Sequence, residues 1–208
     1  MTATRLSVFP LPGALLFPHM PLPLHIFEPR YRAMVSDAMA RDRRIGMIQP
    51  RPCAGAEAEH PPLFDIGCVG RIAEVEALDD GRYNLVLQGI ALFRVVRELA
   101  VATPFRQVEA DLLPAPAGDE ALAPSRRAAL ELESRRFAEV QGYAVDWQAV
   151  GRLDDEALVN GIAQIAPFDV AAKQALLEAP SLDARADMLV QLMQFFGRHD
   201  GEDRVTLQ

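Results

Sequence analysis

The hydrophobic pattern of this chain changes its period once, close to residue 115, and this change constrains the fold more than any other feature. In the first half, the clearest stretch is CVGRIAEVEALDDGRYNLVLQG, where residues 68–77 and 83–88 alternate between two faces. Alternation of this kind is typical of half-buried strands. Asp80 and Gly81 tolerate a positive φ, so the stretch predicts a β-hairpin with a tight turn.

Short apolar runs extend the strand pattern on both sides of this hairpin. They cover residues 6–10, 14–17, 90–99 and 104–113, and Gly89 is predicted to be a second break. Turns about every ten residues are typical of a small barrel or sandwich. Prolines also recur among the apolar residues of the N-terminal region, and proline has no amide hydrogen to donate to a sheet. These segments are therefore expected at sheet edges or in extended connections.

After residue 115 the chain is predicted to be helical. Residues 112–125 are rich in Pro, Ala and Gly and predict a linker, and residues 124–141 favour helix by propensity. The expected starts of three later helices are Asp154, Asp169 and Pro180-Ser181. The first of these three carries an apolar face of Leu158, Ile162 and Ile165, and the last is expected to end at Gly197.

The expected fold class is therefore α+β, with a mostly-β unit followed by a helical unit. The predicted boundaries are 1–115 for the β subdomain, 120–197 for the helical subdomain and 198–208 for a polar tail. The chain of 208 residues is long enough for these parts to form one large domain or two small ones.

The stretch PLPLHIFEPRYRAMV, residues 21–35, predicts a sharp corner between a strand and a helix. Pro29 suits the first helical position, with Glu28 in the capping position, where its side chain can hold the free amides. Arg30 is expected to reach back to strand carbonyls. The predicted buried face of the helix consists of Tyr31, Met34, Val35, Ala38 and Met39.

The alternative interpretation of the corner treats His25 and Glu28 as metal ligands or as an acid/base pair. Both functions require side chains that converge in space. Residues three apart in a strand point to opposite faces, and His19, His60 and His199 offer no evident third ligand. The corner residues His25, Glu28, Pro29, Arg30 and Tyr31 are therefore interpreted as architectural, and neither a catalytic nor a metal site is predicted.

Other chemistry is not indicated by the residues. The chain has no P-loop, no GxGxxG after a strand and no GxSxG turn, so no cofactor is predicted. Cys53 and Cys68 form no CxxC motif, and Lys173, the only lysine, is expected to be solvated on a helix face. The net charge of −8 disfavours nucleic acid and anionic membranes as partners. The absence of a signal sequence or long apolar span predicts a cytoplasmic location.

Three blocks of sequence together resemble a known family. They are FPLPGALLFPHMPLPLHIFEPRYRAMV, DIGCVGRIAEVEALDDGRYNLVLQGIALFRV and IAQIAPFDVAAKQALLEAPSLDARADMLVQLM. In this order they resemble the Lon protease N-terminal substrate-binding domain family over nearly the whole chain. The resemblance implies a PUA-like β pseudo-barrel packed against a helical part. It also implies similarity to stand-alone bacterial proteins of this kind, without the ATPase and protease domains, so no enzymatic activity is carried over.

The first functional hypothesis is a non-enzymatic module that binds unfolded polypeptide segments or a partner protein, linked to protein quality control. Its predicted groove contains Phe17, Met20, Leu22 and Phe93. RNA binding through a PUA-like fold is the alternative, and a small hydrolase or metal enzyme using His25 and Glu28 is the third hypothesis. The oligomeric state is left open.

Overall fold

The computed structural model describes residues 3–53, 60–114 and 121–205, with side chains described up to Gly197. Residues 54–59 and parts of the predicted linker and polar tail lie outside these residues. The chain divides into two units, the first being Met1–Ala115 with Asp169–Leu177 and the second Pro116–Phe168 with Glu178–Gln208.

The first unit contains six strands and two helices among its described residues. The helices are α1 (Pro29–Met39) and α5 (Val170–Glu178). The strands are β1 (Thr4–Pro10), β2 (Pro21–Ile26), β3 (Arg44–Ile48), β4 (Ile66–Ala77), β5 (Tyr83–Glu98) and β6 (Gln107–Leu112).

The six strands form one mixed sheet that curls back on itself. The strand order is β2-β5-β4-β3-β1-β6, and β6 also pairs with β5, which closes five of the strands into a ring. Strands β1 and β3 run parallel, and all other neighbours run antiparallel. Strand β2 pairs with β5 on the outside of this ring. The expected α+β class with a mostly-β pseudo-barrel is confirmed.

The two glycines of the hairpin have different roles in the sheet. Gly81 adopts a φ of 78° in the turn, as predicted. Gly89 is not a break, because β5 continues through it from Tyr83 to Glu98. A Cβ at this position would overlap the carbonyl of Phe17, so glycine allows that loop to cross the strand closely. The loop is held there by hydrogen bonds of 3.0 Å from His19 N to Gly89 O and 2.9 Å from Gly89 N to Met20 O.

The predicted strand at residues 14–17 is also wrong, because this segment is an irregular connection that fills the interior. Its side chains Leu15, Leu16 and Phe17 are buried although its backbone joins no strand. The main core cluster lies beneath α1 and includes Phe9, Leu16, Ile26, Tyr31, Met34, Val35, Ile45, Met47, Ile72, Leu85, Leu87 and Phe105. A second cluster includes Leu6, Val8, Ile48, Val69, Phe93, Val108 and Ala110.

Helix α5 belongs to the first unit, although it lies far along the chain from the strands. Its Gln174 accepts a hydrogen bond of 3.1 Å from the Gln49 amide and donates one of 3.0 Å to Ile66 O. Lys173 is buried, so the expectation of a solvated lysine is wrong; its Nζ donates to Gly13 O over 2.9 Å. These bonds give buried polar groups of the sheet and its loops partners on a distant helix.

The second unit contains four helices among its described residues. They are α2 (Pro124–Gln141), α3 (Trp147–Val150), α4 (Asp155–Ile165) and α6 (Leu182–Val205). The predicted caps form, with Asp154 Oδ1 accepting from Ala157 N over 2.7 Å and Ser181 Oγ from Ala184 N over 3.1 Å. In the first unit, Asp169 Oδ1 caps α5 by accepting from Ala172 N over 2.7 Å.

Two helical predictions in this unit are wrong. Helix α6 does not end at Gly197 but continues to Val205. Glycine only weakens a helix, and this one has no positive φ that would end it. Ile165 is 81% exposed rather than buried, because it is the last residue of α4 before the chain leaves the helix. No helix in the described part of the chain is long and apolar enough to cross a membrane.

Candidate functional site

The corner between β2 and α1 has the predicted backbone but different side-chain contacts. Pro29 occupies the start of the helix, and the carbonyl of Glu28 accepts from Tyr31 N and Arg32 N at 3.0 and 2.9 Å. The Glu28 side chain makes no capping bond, contrary to prediction. Its carboxylate instead accepts a hydrogen bond of 2.9 Å from Arg30 Nε, and no strand carbonyl is among the described partners of Arg30. This ion pair draws both side chains away from the predicted roles.

Tyr31 connects this corner to the hydrophobic core. Its ring packs on that of Phe9 with 4.2 Å between centroids, and the Arg30 guanidinium lies 4.5 Å from the Tyr31 centroid on the outside. Burial raises the pKa of the Tyr31 hydroxyl, against an opposing effect of the Arg30 charge. At neutral pH the hydroxyl is therefore protonated and can donate a hydrogen bond.

Beside Tyr31 lies a cleft of about 330 Å³. Five of its lining residues are prolines, and Tyr31 and Phe105 add aromatic surface. We call it the proline cleft, and it is lined by Pro10, Pro12, Arg30, Tyr31, Pro50, His60, Pro61, Glu98, Val101, Thr103, Pro104, Phe105 and Arg106. Its walls therefore combine apolar surface with several polar side chains.

Two charged side chains of the proline cleft, Arg106 and Glu98, are bonded to each other, and His60 lies beside them. Arg106 donates from Nε and Nη2 to the two oxygens of Glu98 over 2.7 and 2.6 Å, and from Nη1 to Pro61 O over 2.7 Å. His60 Nε2 lies 3.1 Å from Glu98 Oε1. The hydrogen bond from Arg106 lowers the pKa of Glu98 although partial burial acts to raise it. The cleft therefore presents a preformed, charge-balanced rim.

His25 and Glu28 engage different partners in the structure. His25 Nδ1 lies 2.7 Å from Asn84 Oδ1, and its Nε2 lies 3.3 Å from an Arg82 nitrogen. The Asn84 amide in turn donates to Glu76 over 2.9 Å. Glu28 pairs with Arg30, so the corner does not join His25 and Glu28 in a described contact. Among the described residues, no three His, Cys, Asp or Glu side chains are grouped to hold a metal ion.

The four predicted groove residues do not share one open surface. Phe17 and Phe93 are both 0% exposed, and Phe93 lies in the second core cluster. Met20 and Leu22 are half-buried, and Leu22 packs against the main core cluster. Peptide binding by these four residues stays a prediction, and it requires the two phenylalanines to leave the core.

Two nucleophilic groups of the first unit, Cys68 and Lys173, are not placed for covalent chemistry. Cys68 is 0% exposed, and burial raises the pKa of its thiol to about 12, so it carries no thiolate at neutral pH. Lys173 is buried and donates to Gly13 O. Since the proline cleft combines apolar walls with fixed polar groups, its arrangement suits the binding of a ligand.

The sequence interpretation missed most residues of the proline cleft. They come from five separate stretches of chain, around Pro10, Arg30, Pro50, Pro61 and Phe105. The only local signal was the run Pro104-Phe105-Arg106, in which an aromatic side chain stands between a proline and an arginine. No spacing rule links such stretches, because the barrel brings them together through strand pairing.

The comparisons with known proteins agree with this fold. A profile of the ATP-dependent protease La (LON) substrate-binding domain matches residues 5–194. Lon protease 2 of Myxococcus xanthus is 27% identical over 197 residues, covering 90% of this chain and 23% of the relative. Lon protease of Escherichia coli strain K12 is 24% identical over 199 residues, covering 91% of this chain and 24% of the relative. The chain therefore spans about a quarter of the length of these curated relatives.

Solved structures show the same similarity. A Lon N-terminal domain protein from Xanthomonas campestris superposes with a TM-score of 0.65 at 21% identity, covering 90% of this chain and 98% of that one. The N-terminal domain of Mycobacterium avium complex Lon protease gives a TM-score of 0.64 at 17% identity, covering 92% and 98%.

The closed sheet, together with the helices that follow it in the chain, defines the class, an α+β domain of the type found at the N-terminus of Lon proteases. The chain belongs to the Lon substrate-binding domain family, which confirms the resemblance seen in the sequence.

Proposed function

We propose that this protein is a non-enzymatic module that binds segments of unfolded polypeptide, in the setting of protein quality control. The observation that carries the proposal is the proline cleft, with about 330 Å³ of volume, walls that combine apolar and polar surface, and a charge-balanced rim. Apolar surface with a few fixed polar groups accepts many side chains while excluding fully hydrated ones. The names of the family and of the Lon relatives support the proposal.

The cleft suits a polypeptide better than a small charged ligand. Arg106 already shares its donors between Glu98 and Pro61 O, and Arg30 is paired with Glu28. A strongly anionic ligand would have to displace these partners. A chain segment needs only apolar contacts with the prolines and Phe105, and a hydrogen bond to a group such as the Tyr31 hydroxyl.

RNA is not proposed as a ligand, because many of the described arginines are paired with acids. Arg41 bonds Asp37 at 3.0 Å, and Arg126 lies 2.8 Å from carboxylate oxygens of both Asp183 and Asp187. Such pairs neutralise the charge that a phosphate backbone would need.

The test is fluorescence anisotropy with a labelled unfolded polypeptide, such as reduced and alkylated lactalbumin. Val101→Asp places a charge on the apolar wall of the proline cleft and should weaken binding by about tenfold or more. Val145→Asp is the matched control, since Val145 is exposed in the second unit and is expected to leave binding unchanged. Absence of saturable binding of the polypeptide to the unaltered protein would disprove the proposed function. If Val101→Asp and Val145→Asp bind the polypeptide equally well, the proline cleft is not the binding site.

A further inference from the structure

We propose that the second half of β4, residues 73–77, is a strand-addition site that pairs with an extended polypeptide segment carrying alternating basic and apolar side chains. The proposal rests on the proposed polypeptide binding and deepens it, because it names a class of segment and a second contact surface. The residues concerned are Ala73, Glu74, Val75, Glu76 and Ala77, which we call the β4 edge.

The β4 edge has a sheet neighbour on one side only. Strand β3 pairs with β4 from Arg44↔Arg71 to Met47↔Cys68, and the last link on that side is a hydrogen bond of 2.8 Å from Ile72 N to Arg43 O. Beyond it, β4 pairs with β5 alone. All five residues of the β4 edge are exposed, so no other described part of the protein covers them.

The hairpin register shows which backbone groups face outwards. Leu78 N donates to Arg82 O over 2.9 Å, and hydrogen-bonded pairs alternate with non-bonded pairs along an antiparallel ladder. The pairs Glu76↔Asn84 and Glu74↔Val86 are then the bonded ones. The N–H and C=O groups of Val75 and Ala77 consequently point away from β5, towards the free side, where an added strand would bond them.

Strands β2, β5 and β4 form a three-stranded region whose opposite edge is β2, and prolines protect that edge from strand addition. In β2, Pro23 pairs with Val86 and Pro21 with Gln88, and at both positions no amide hydrogen is needed towards β5. The amides missing at these prolines are the ones that would face outwards, so β2 offers few donors to an incoming strand. The β4 edge has no proline, so its outward amides can donate to an added strand, unlike the proline positions of β2.

The side chains of the β4 edge define the preferred segment. Val75 pairs with the buried Leu85, so it lies on the core side of the sheet, where it is 38% exposed. Glu74 and Glu76 lie on the opposite face, and neither forms an ion pair with a described residue, although Glu76 accepts a hydrogen bond from Asn84. An added strand would place apolar side chains beside Val75 and basic ones beside the two glutamates.

Charge also decides between a foreign segment and a second copy of this chain. Two β4 edges paired antiparallel would bring glutamates of both copies onto one face, which like-charge repulsion disfavours. Arg71 marks one end of the acidic face, and the Arg32 side chain lies against Gly81 at the other end. The acidic stretch between these arginines is complementary to an added segment with basic residues at positions i and i+2, beside Glu74 and Glu76.

The experiment uses an eight-residue peptide of alternating arginine and valine, labelled for anisotropy, and amide hydrogen exchange of the protein. Binding is expected, with the Val75 and Ala77 amides exchanging about tenfold more slowly in the complex. A peptide N-methylated at alternate residues keeps its side chains but loses edge-facing donors, and its affinity should fall about tenfold or more. A glutamate–valine peptide should not bind.

Two variants separate this site from the proline cleft. Val75→Pro removes an outward-facing amide without removing a hydrogen bond to β5, and it should abolish binding of the arginine–valine peptide. E74K/E76K reverses the charge of the edge, so the glutamate–valine peptide should bind in place of the arginine–valine peptide. Retained affinity of the N-methylated peptide would overturn strand addition even if Val75→Pro did not fold. Suppose that unfolded lactalbumin binds the unaltered protein while the N-methylated arginine–valine peptide binds as tightly as the unmethylated one. In that case the proposed function stands and strand addition at the β4 edge is wrong. Peptide-independent dimerisation through this edge, detected by sedimentation, would also overturn it.

Discussion

The Nζ of Lys173 donates a hydrogen bond of 2.9 Å to the carbonyl oxygen of Gly13, joining α5 to the turn after β1. Lys173 is the only lysine in the chain, and it is 7% exposed. A buried ammonium group loses hydration, so this contact stabilises a particular arrangement at an electrostatic cost. The pairing is therefore a source of pH-dependent stability.

Replacing Lys173 should change how stability depends on pH at alkaline values. Burial lowers the pKa of the lysine below its ordinary 10.5, so the unfolded chain binds more protons than the folded one between the lowered pKa and 10.5. The destabilising contribution is complete below the lowered pKa and disappears as pH rises through this window. In the unaltered protein, the free energy of unfolding measured in urea should include a contribution from Lys173 that increases with pH across this window. This contribution should be absent in Lys173→Met.

Lys173→Arg is the matched control for this titration. Arginine keeps its charge at all accessible pH values, so the contribution from position 173 should again be absent. A pH slope in either variant equal to that of the unaltered protein would show that other groups produce it.

Gly89→Ala should destabilise the protein strongly. The new methyl group would overlap the carbonyl of Phe17, which is held in place by the bonds of the 17–20 loop to β5. A shift of backbone at a fully buried crossing is expected to cost more than about 2 kcal/mol. Thermal and urea unfolding would measure the change, together with the proportion of folded protein.

Gly197→Ala is the matched glycine substitution within α6. A Cβ there would lie 3.8 Å from Phe137, an ordinary contact, and the backbone is helical. The substitution should stabilise the protein by roughly 0.5–1 kcal/mol through helix propensity. A loss of stability would show that the helix does not continue through this position.

Removing the Glu28–Arg30 ion pair should have little effect on stability. The two side chains are 41% and 49% exposed, so solvent screens an interaction worth less than about 1 kcal/mol. Glu28→Ala and Arg30→Ala should each unfold close to the unaltered protein. Tyr31→Ala, by contrast, removes a ring packed on Phe9 and should cost about 3–5 kcal/mol.

Tyr31→Phe distinguishes packing from the hydroxyl group at the same position. It retains the ring in the core and should keep most of the stability, while removing a donor at the wall of the proline cleft. A large loss of stability in Glu28→Ala, equal to that of Tyr31→Ala, would contradict this division of roles.

The parts of the fold that could be predicted from sequence depend on neighbouring residues. The hairpin turn at Gly81 and the caps Asp154, Asp169 and Ser181 were all predicted, because each acts on backbone groups within a few residues. The stop at Gly197 was predicted wrongly, because a glycine ends a helix only when the backbone adopts a positive φ.

The features that depend on contacts between distant residues could not be predicted. Gly89 looked like a break because its local pattern is the same whether a chain turns there or another segment crosses it. The closing of β5 onto β6, the grouping of α5 with the strands and the burial of Lys173 all join residues far apart along the chain.

The sequence by itself determined the change from strands to helices, the helix caps, the turn at Gly81, and the family to which the chain belongs. Only the tertiary structure decided which side chains form the proline cleft, which strand edge stays unpaired and where the lysine charge is buried. The physical reason is the separation of the interacting residues along the chain. Hydrophobic periodicity and helix capping depend on residues a few positions apart, whereas these surfaces are formed by strand pairing between residues far apart in the first unit.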